Sequence, residues 1–302
     1  MTTISISRRS SLVPLLWLVL PVVAQSQRPD SARAFDYSAA QCSSCAEWNA
    51  PQKPFRIFGN TWYVGTRGLG AILITSPTGH VLIDGGIPAS APAIVANIRS
   101  LRFLIEDVWL IVNSHAHFDH AGGIAELQQA SGATVAASPA SAPVMRAGKS
   151  GPDDPQFGVL LPFAPVSEVR TIADGETLHV GDLAVTAHFT PGHTAGGTTW
   201  TWRSCEGSVC KDMVYADSQT PVSADGFLFT RNTTYPTAIA DFERGADVLD
   251  RLSCDILITP HPSASDMWER VEKGALVDTS ACKRYAVSAR AALAKRIARE
   301  RQ

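Results

Sequence analysis

Three histidines and an aspartate fall within six residues of this chain: His115, His117, Asp119 and His120, in "HAHFDH". A lone histidine is most often a packed or surface side chain, but four ligand-type groups at HxHxDH spacing are hard to explain that way. In a loop, positions i and i+2 can point to one side, which pairs His115 with His117. Asp119 and His120 follow at the turn into a helix. A catalytic tetrahedral zinc takes three protein ligands, imidazole or carboxylate, and keeps one position for water. His193, ending "TPGH", would complete a three-histidine set with His115 and His117, and His261, ending "ITPH", an Asp-His-His set with Asp119 and His120. The pattern predicts two Zn2+ per chain, each with an open position. Magnesium and calcium prefer oxygen shells, and thiolate shells suit iron. His80, His179 and His188 read as ordinary turn or strand residues.

The elements that must position these groups are legible as apolar runs: "TWYVGT", "AILITS", "HVLIDGG", "VWLIVNS", "TVAAS", "LAVTAHFT", "TTWTWRS", "DMVYADS" and "DILITP". Helix-length segments lie between them at 88–102, 122–130, 139–147 and 237–252, with a long one from about 278 to the end. Interleaved strands and helices predict an α/β fold with helices over sheet faces. Asp84, the 115–120 cluster, His193 and His261 each fall just past the C-terminal end of a strand run, where α/β sheets gather their ligands. The many Lys and Arg of the last helix read as a solvated face.

The chain has 302 residues, 45% hydrophobic and 18% charged, with a formal net charge of −2. That allows a sizeable core and gives no basis for expecting nucleic acid or an anionic membrane surface as partner. The N-terminus reads as a secretory signal peptide: Arg8 and Arg9, an apolar run from Leu12 to Ala24, and a small-residue cleavage site at Val22-Val23-Ala24. The run is shorter than the ~20 residues of a membrane span, and "SRRSSL" also resembles a twin-arginine signal. Residues 1–24 are therefore expected to be removed, leaving 25–302 as one domain working in the periplasm or outside the cell, without stable membrane association. The six cysteines fit an oxidising compartment. Proximity suggests Cys205 with Cys210 across a hairpin and Cys254 with Cys282 tying a strand to the last helix. Cys42 and Cys45 could pair with each other or form a CxxC redox or metal pair.

"HAHFDH", "PGHTAGGT" and "TPHP" resemble the metallo-β-lactamase superfamily. "PFRIFGNTWYVGT", "ILITSPTGHVLIDGG", "WTWRS", "VYADS" and "ITPHPSAS" resemble its subclass B3 β-lactamases, from about Trp48 to the last helix. The resemblance implies a four-layer αββα sandwich with the metal site at one edge. It implies a first zinc on His115, His117 and His193 and a second on Asp119, His120 and His261. Ser218, where other subclasses place a cysteine, and Thr220 would bind the substrate carboxylate, and Asp84 would orient a metal-bound group or adjacent backbone. The segment 151–165, with Phe157 and Leu161, and Trp48 would overhang the cleft. The implied reaction is hydrolysis of the lactam amide of penicillins, cephalosporins and carbapenems by a monomer, conferring antibiotic resistance. Water between two zinc ions has its pKa lowered toward neutrality, so no side-chain base is needed, and Asp119 would both ligate and hydrogen-bond the nucleophile.

Ser208-Val209-Cys210-Lys211 matches the SxxK of serine β-lactamases, and Lys149-Ser150-Gly151 is near KTG, but the order is reversed and no SDN is present. A glyoxalase II-like thioesterase or a lactonase shares HxHxDH. Such an enzyme would take a bridging aspartate from a late strand, for which Asp217 could be proposed, and the thioesterase a helical extension longer than the 41 residues after His261. A non-catalytic zinc protein would close its site with four ligands rather than three.

Overall fold

Twelve strands assemble into two sheets in the computed structural model, which describes residues 41–302. The strands are β1 Phe55–Phe58, β2 Thr61–Tyr63, β3 Ile72–Ile74, β4 His80–Ile83, β5 Val108–Val112, β6 Thr134–Ala137, β7 Val169–Thr171, β8 Thr177–Val180, β9 Leu183–Phe189, β10 Thr198–Glu206, β11 Val209–Tyr215 and β12 Ile256–Ile258. The helices are α1 Cys45–Trp48, α2 Ala91–Ser100, α3 Phe118–Ala121, α4 Ile124–Ser131, α5 Ser141–Ala147, α6 Ala238–Arg251, α7 Met267–Glu272 and α8 Ala281–Glu300. The first sheet runs β1 to β7 in chain order, antiparallel up to β4 and parallel from there. The second has the order β12-β11-β10-β9-β8, with only β12 and β11 parallel.

Strand alternation decides which core each side chain joins, because successive residues face opposite sides of a sheet. Val81 and Ile83 of β4 and Leu110 and Val112 of β5 point inward, against Val185, Trp200, Met213 and Ile256 of the other sheet. Leu82 and Ile111 between them point outward, onto Ile94 and Ile98 of α2 and Leu127 of α4. On the far side, Val214 and Leu257 pack against Ala246 and Leu249 of α6 and Ala286 of α8. The layers are therefore helix, sheet, sheet, helix, as the resemblance implies. Two tryptophans pin the sheets together through polar tips as well as area: Trp200 Nε1 donates to Asn113 O at 3.0 Å, and Trp202 Nε1 to Thr61 Oγ1 at 2.9 Å.

All nine strands read from apolar runs are present. Three more, β1, β7 and β8, lie at sheet edges, where only one or two residues of each strand are buried. The helix expected to begin at Pro88 starts as a 3-10 turn, Pro88–Ser90, before α2. The basic face of α8 is more than solvated: Arg290 pairs with Glu243 and Asp247 of α6, and Arg296 with Glu300. The signal-peptide reading lies outside the described residues. Among those residues no helix is long and apolar enough to cross a membrane.

All six cysteines are paired, Cys42 with Cys45, Cys205 with Cys210 and Cys254 with Cys282. The last joins residues 28 apart in sequence and fastens α8 to the segment before β12. Closing a loop of that size destabilises the unfolded chain by about 3.6 kcal/mol. Replacing both Cys254 and Cys282 by serine should lower stability by that order, read as a shifted denaturation midpoint with activity retained below it.

Candidate metal centre and active site

The site is assembled at strand ends. Asp84 follows β4, the 113–120 turn follows β5, Thr190 to His193 follow β9, Ala216 to Ser218 follow β11, and His261 follows β12. The turn after β5 is held by Asp84, which is fully buried and in the left-handed region with φ 62°. Its Oδ1 accepts from Ser114 N at 2.7 Å and Asn113 Nδ2 at 3.1 Å, and its Oδ2 from Ser114 Oγ at 2.7 Å and Tyr215 OH at 2.9 Å. Burial raises its pKa while these donors and the nearby His120 pull it down. The glycines after His120 let the chain close tightly: a Cβ on Gly123 would stand 2.3 Å from Gly85 O.

Within this frame the imidazoles of His115, His117 and His193 form a triangle, with ring centroids 4.6, 4.8 and 5.0 Å apart. Each ring has one nitrogen on an oxygen acceptor, and His193 Nε2 also lies 3.5 Å from Gln156 Nε2. His115 Nδ1 lies 2.8 Å from Asp217 Oδ1, His193 Nδ1 donates to Thr220 O at 2.8 Å, and His117 Nε2 lies 2.8 Å from Asp154 Oδ2. A proton on the held nitrogen leaves a lone pair on the other, which is what a metal takes. Burial pushes the Asp217 carboxyl well up and the His115 imidazole well down. Gly197 makes room for the aspartate, since a Cβ there would stand 2.3 Å from Asp217 Oδ2.

The second set adjoins the first. Asp119 Oδ2 lies 3.2 Å from both His120 Nε2 and His261 Nε2, and the His120 ring is 4.4 Å from that of His115. His120 Nδ1 faces Asp84 Oδ2 at 4.0 Å. The Trp48 ring packs on His261 at 5.4 Å and on Phe118 at 6.2 Å. The histidines also hold Asp119 well below the usual carboxylate range despite its burial. Buried ring nitrogens normally find partners, yet His115 Nε2 and both nitrogens of His120 have no hydrogen bond. His115, His117 and His193, and again His115, Asp119 and His120, bring ligand atoms within 4.8 Å of one another. These orphaned atoms and this donor set suit a borderline cation such as zinc.

Both sets open into a cleft of about 340 Å³ lined by Trp48, Gln156, Leu160, Ser218, Thr220 and Val222, among others. The segment 151–165 does overhang it, through Gln156, Val159 and Leu160. The two apolar residues expected there behave otherwise: Leu161 packs onto the helix-side core, and Phe157 is 50% exposed outside the lining. His80 packs edge-on against Phe103, His188 meets Thr201 and His179 is exposed, all apart from the site. Ser208 lies in the hairpin turn between β10 and β11 and Lys211 near the start of β11, at the end of that strand opposite Ser218. Three residues escaped sequence reasoning in the roles they hold: Asp154 and Asp217 as holders of imidazoles, and Tyr215 as a donor to Asp84. None shares a motif with its partner, and only contact across the fold reveals them.

The family model of the metallo-beta-lactamase superfamily matches residues 70–244. The chain belongs to that superfamily. Within it, the chain is similar to Rm3 metallo-beta-lactamase, at 53% identity over 86% of this chain and 99% of the other, with a TM-score of 0.85. It is similar also to MEM-A1, a subclass B3 metallo-beta-lactamase from a soil metagenome library, at 51% identity over 84% and 98% of the two chains and a TM-score of 0.82. A third is MIM-1 from Novosphingobium pentaromativorans, at 44% identity over 86% and 97% and a TM-score of 0.80.

Burial also lowers His193, to about 3, so His115 and His193 stay neutral in the fold where the unfolded chain takes up protons near pH 6.5. At these two sites the unfolded state binds more protons, so their contribution to stability falls as pH drops below that value, while Asp217 and Asp84, raised by burial, take up protons first in the fold and act in the opposite sense. Between pH 6.5 and 4 the metal-free wild type should therefore lose stability relative to metal-free His193→Gln, by at most about 1.4 kcal/mol per pH unit. Denaturation midpoints of the two proteins across that range check this; parallel profiles contradict it.

Proposed function

We propose that this chain is a zinc-dependent hydrolase that opens the amide bond of β-lactam antibiotics and so confers resistance to them. The observation that carries the reading is the meeting of two three-ligand sets, His115, His117 and His193 beside Asp119, His120 and His261, at the floor of one open cleft. Three ligands each leave coordination open, which is the arrangement of catalytic rather than structural zinc. Two zinc ions per chain are proposed, one on each set. All six ligands come from one chain, so a monomer suffices.

Zinc bound there supplies Lewis acidity toward the lactam carbonyl and lowers the pKa of a water toward neutrality. Asp119, kept as a carboxylate by its histidines, accepts a hydrogen bond and orients the attacking water. Its low basicity makes it an orienting group rather than a proton store. Ser218, at the cleft wall, donates its hydroxyl to the substrate carboxylate, and Thr220 is placed to add a second hydroxyl. The Thr220 carbonyl has a separate task, holding His193 Nδ1. Asp84 fixes the backbone that presents His115 to His120, and its Oδ2 faces His120 Nδ1 at 4.0 Å.

A thioesterase or lactonase of the same superfamily would need a carboxylate between the metals. Asp217 is turned instead to His115 Nδ1, behind the ring from Nε2, which favours the lactam reading. Export to the periplasm or beyond, with residues 1–24 as signal and 25–302 as the working domain, is supported by the pairing of all six cysteines.

Residues 25–302 should hydrolyse a carbapenem and a cephalosporin, lose that activity on chelation and regain it with zinc. Turnover of lactoylglutathione alone would refute the reading. His193→Ala and His261→Ala should each lower bound zinc by about one ion per chain, measured by metal analysis, and depress kcat. Ser218→Ala should raise KM by about tenfold with zinc content unchanged, the weight of one hydrogen bond to a charged group.

A further inference from the structure

Asp154 belongs to no ligand motif, yet it joins a proposed ligand to the segment that roofs the cleft. Its carboxylate is nearly buried and both oxygens are engaged: Oδ2 with His117 Nε2 at 2.8 Å, and Oδ1 accepting Gln156 N at 2.8 Å. Asp154 N donates to Gly151 O, and Asp154 O accepts Phe157 N, each at 3.0 Å, so the residue is the knot of a tight turn. The next carbonyl, of Pro155, accepts Ala224 N at 2.8 Å, and Gln156, Val159 and Leu160 just beyond line the cleft. His117 is also held differently from its neighbours: His115 and His193 are held at Nδ1, His117 at Nε2.

We propose that Asp154 is a positioning residue that couples metal binding at the three-histidine set to the placement of the cleft-roofing turn. The proposal rests on the metal reading above. An ionised carboxylate only accepts, so the His117 ring proton sits on Nε2 and Nδ1 becomes the ligand atom. A ring held at Nε2 alone can still rock about that bond; held at both nitrogens it cannot. A fixed ring fixes Oδ2, and the rigid carboxylate then fixes Oδ1, Gln156 N and the turn. Linkage is reciprocal, so a turn ordered by metal must raise metal affinity by the same factor. Loss of a carboxylate that orients a ligating histidine weakens metal binding by roughly 10- to 100-fold.

The test compares the wild type with Asp154→Ala in two measurements: zinc affinity by competition with a chromophoric chelator, and limited proteolysis of segment 151–160 with and without zinc. Zinc should protect the wild-type segment. In Asp154→Ala one of the two zinc affinities should weaken at least tenfold, and the segment should be cut at the same rate with or without zinc. Asp154→Asn keeps one acceptor of the same length, for His117 or for Gln156 but not both, and should recover part of the lost affinity. If circular dichroism shows Asp154→Ala unfolded, Asp154→Asn is judged against the wild type by the same two measurements. Wild-type affinity together with zinc-dependent protection in the folded variant overturns the coupling while leaving the metal reading intact. A wild type that binds no zinc overturns both.

Discussion

The rest of the site depends on the burial of Asp84 beneath the turn after β5. A carboxylate taken out of water is costly unless donors surround it, and here Asn113, Ser114 and Tyr215 supply four hydrogen bonds. Three of the donors come from the turn itself and one from the opposing sheet. Satisfying this one side chain therefore fixes the backbone from which His115, His117, Asp119 and His120 project. Tyr215 ties the requirement to the sandwich, because its ring belongs to the core between the sheets.

The same logic repeats around each imidazole. A buried histidine without a partner would cost free energy on both ring nitrogens; giving one nitrogen a carboxylate or carbonyl leaves the other as the exposed face of the site. Asp217, Asp154 and the Thr220 carbonyl play this part for His115, His117 and His193. They come from the end of β11, from the cleft-roofing turn and from the stretch after Ser218. The groups that aim the ligands are thus as scattered along the chain as the ligands.

Much of this was legible in the order of residues. Nine strands announced themselves as apolar runs, eight of them inner strands and the ninth, β12, an edge strand buried along its whole length, while β1, β7 and β8 at the other edges carry only one or two buried residues each. The short α1, α3 and α7 fall below the length at which helical periodicity can be seen. Cys205 with Cys210 and Cys254 with Cys282 could be paired by the elements they flank. For Cys42 and Cys45, self-pairing was one of three options, and the fold selects it.

The six ligand-type residues were determined by sequence, because their side-chain chemistry and the HxHxDH spacing are local properties and strand ends are readable from local hydrophobicity. What only the tertiary structure decided is which nitrogen each ring presents, which carboxylates hold the rings, and which residues of segment 151–165 face the cleft. Those depend on contacts between residues far apart in the chain, such as His115 with Asp217 and His117 with Asp154. No local pattern encodes such a contact, because it exists only once two sheets have packed and water has been excluded from between their ends.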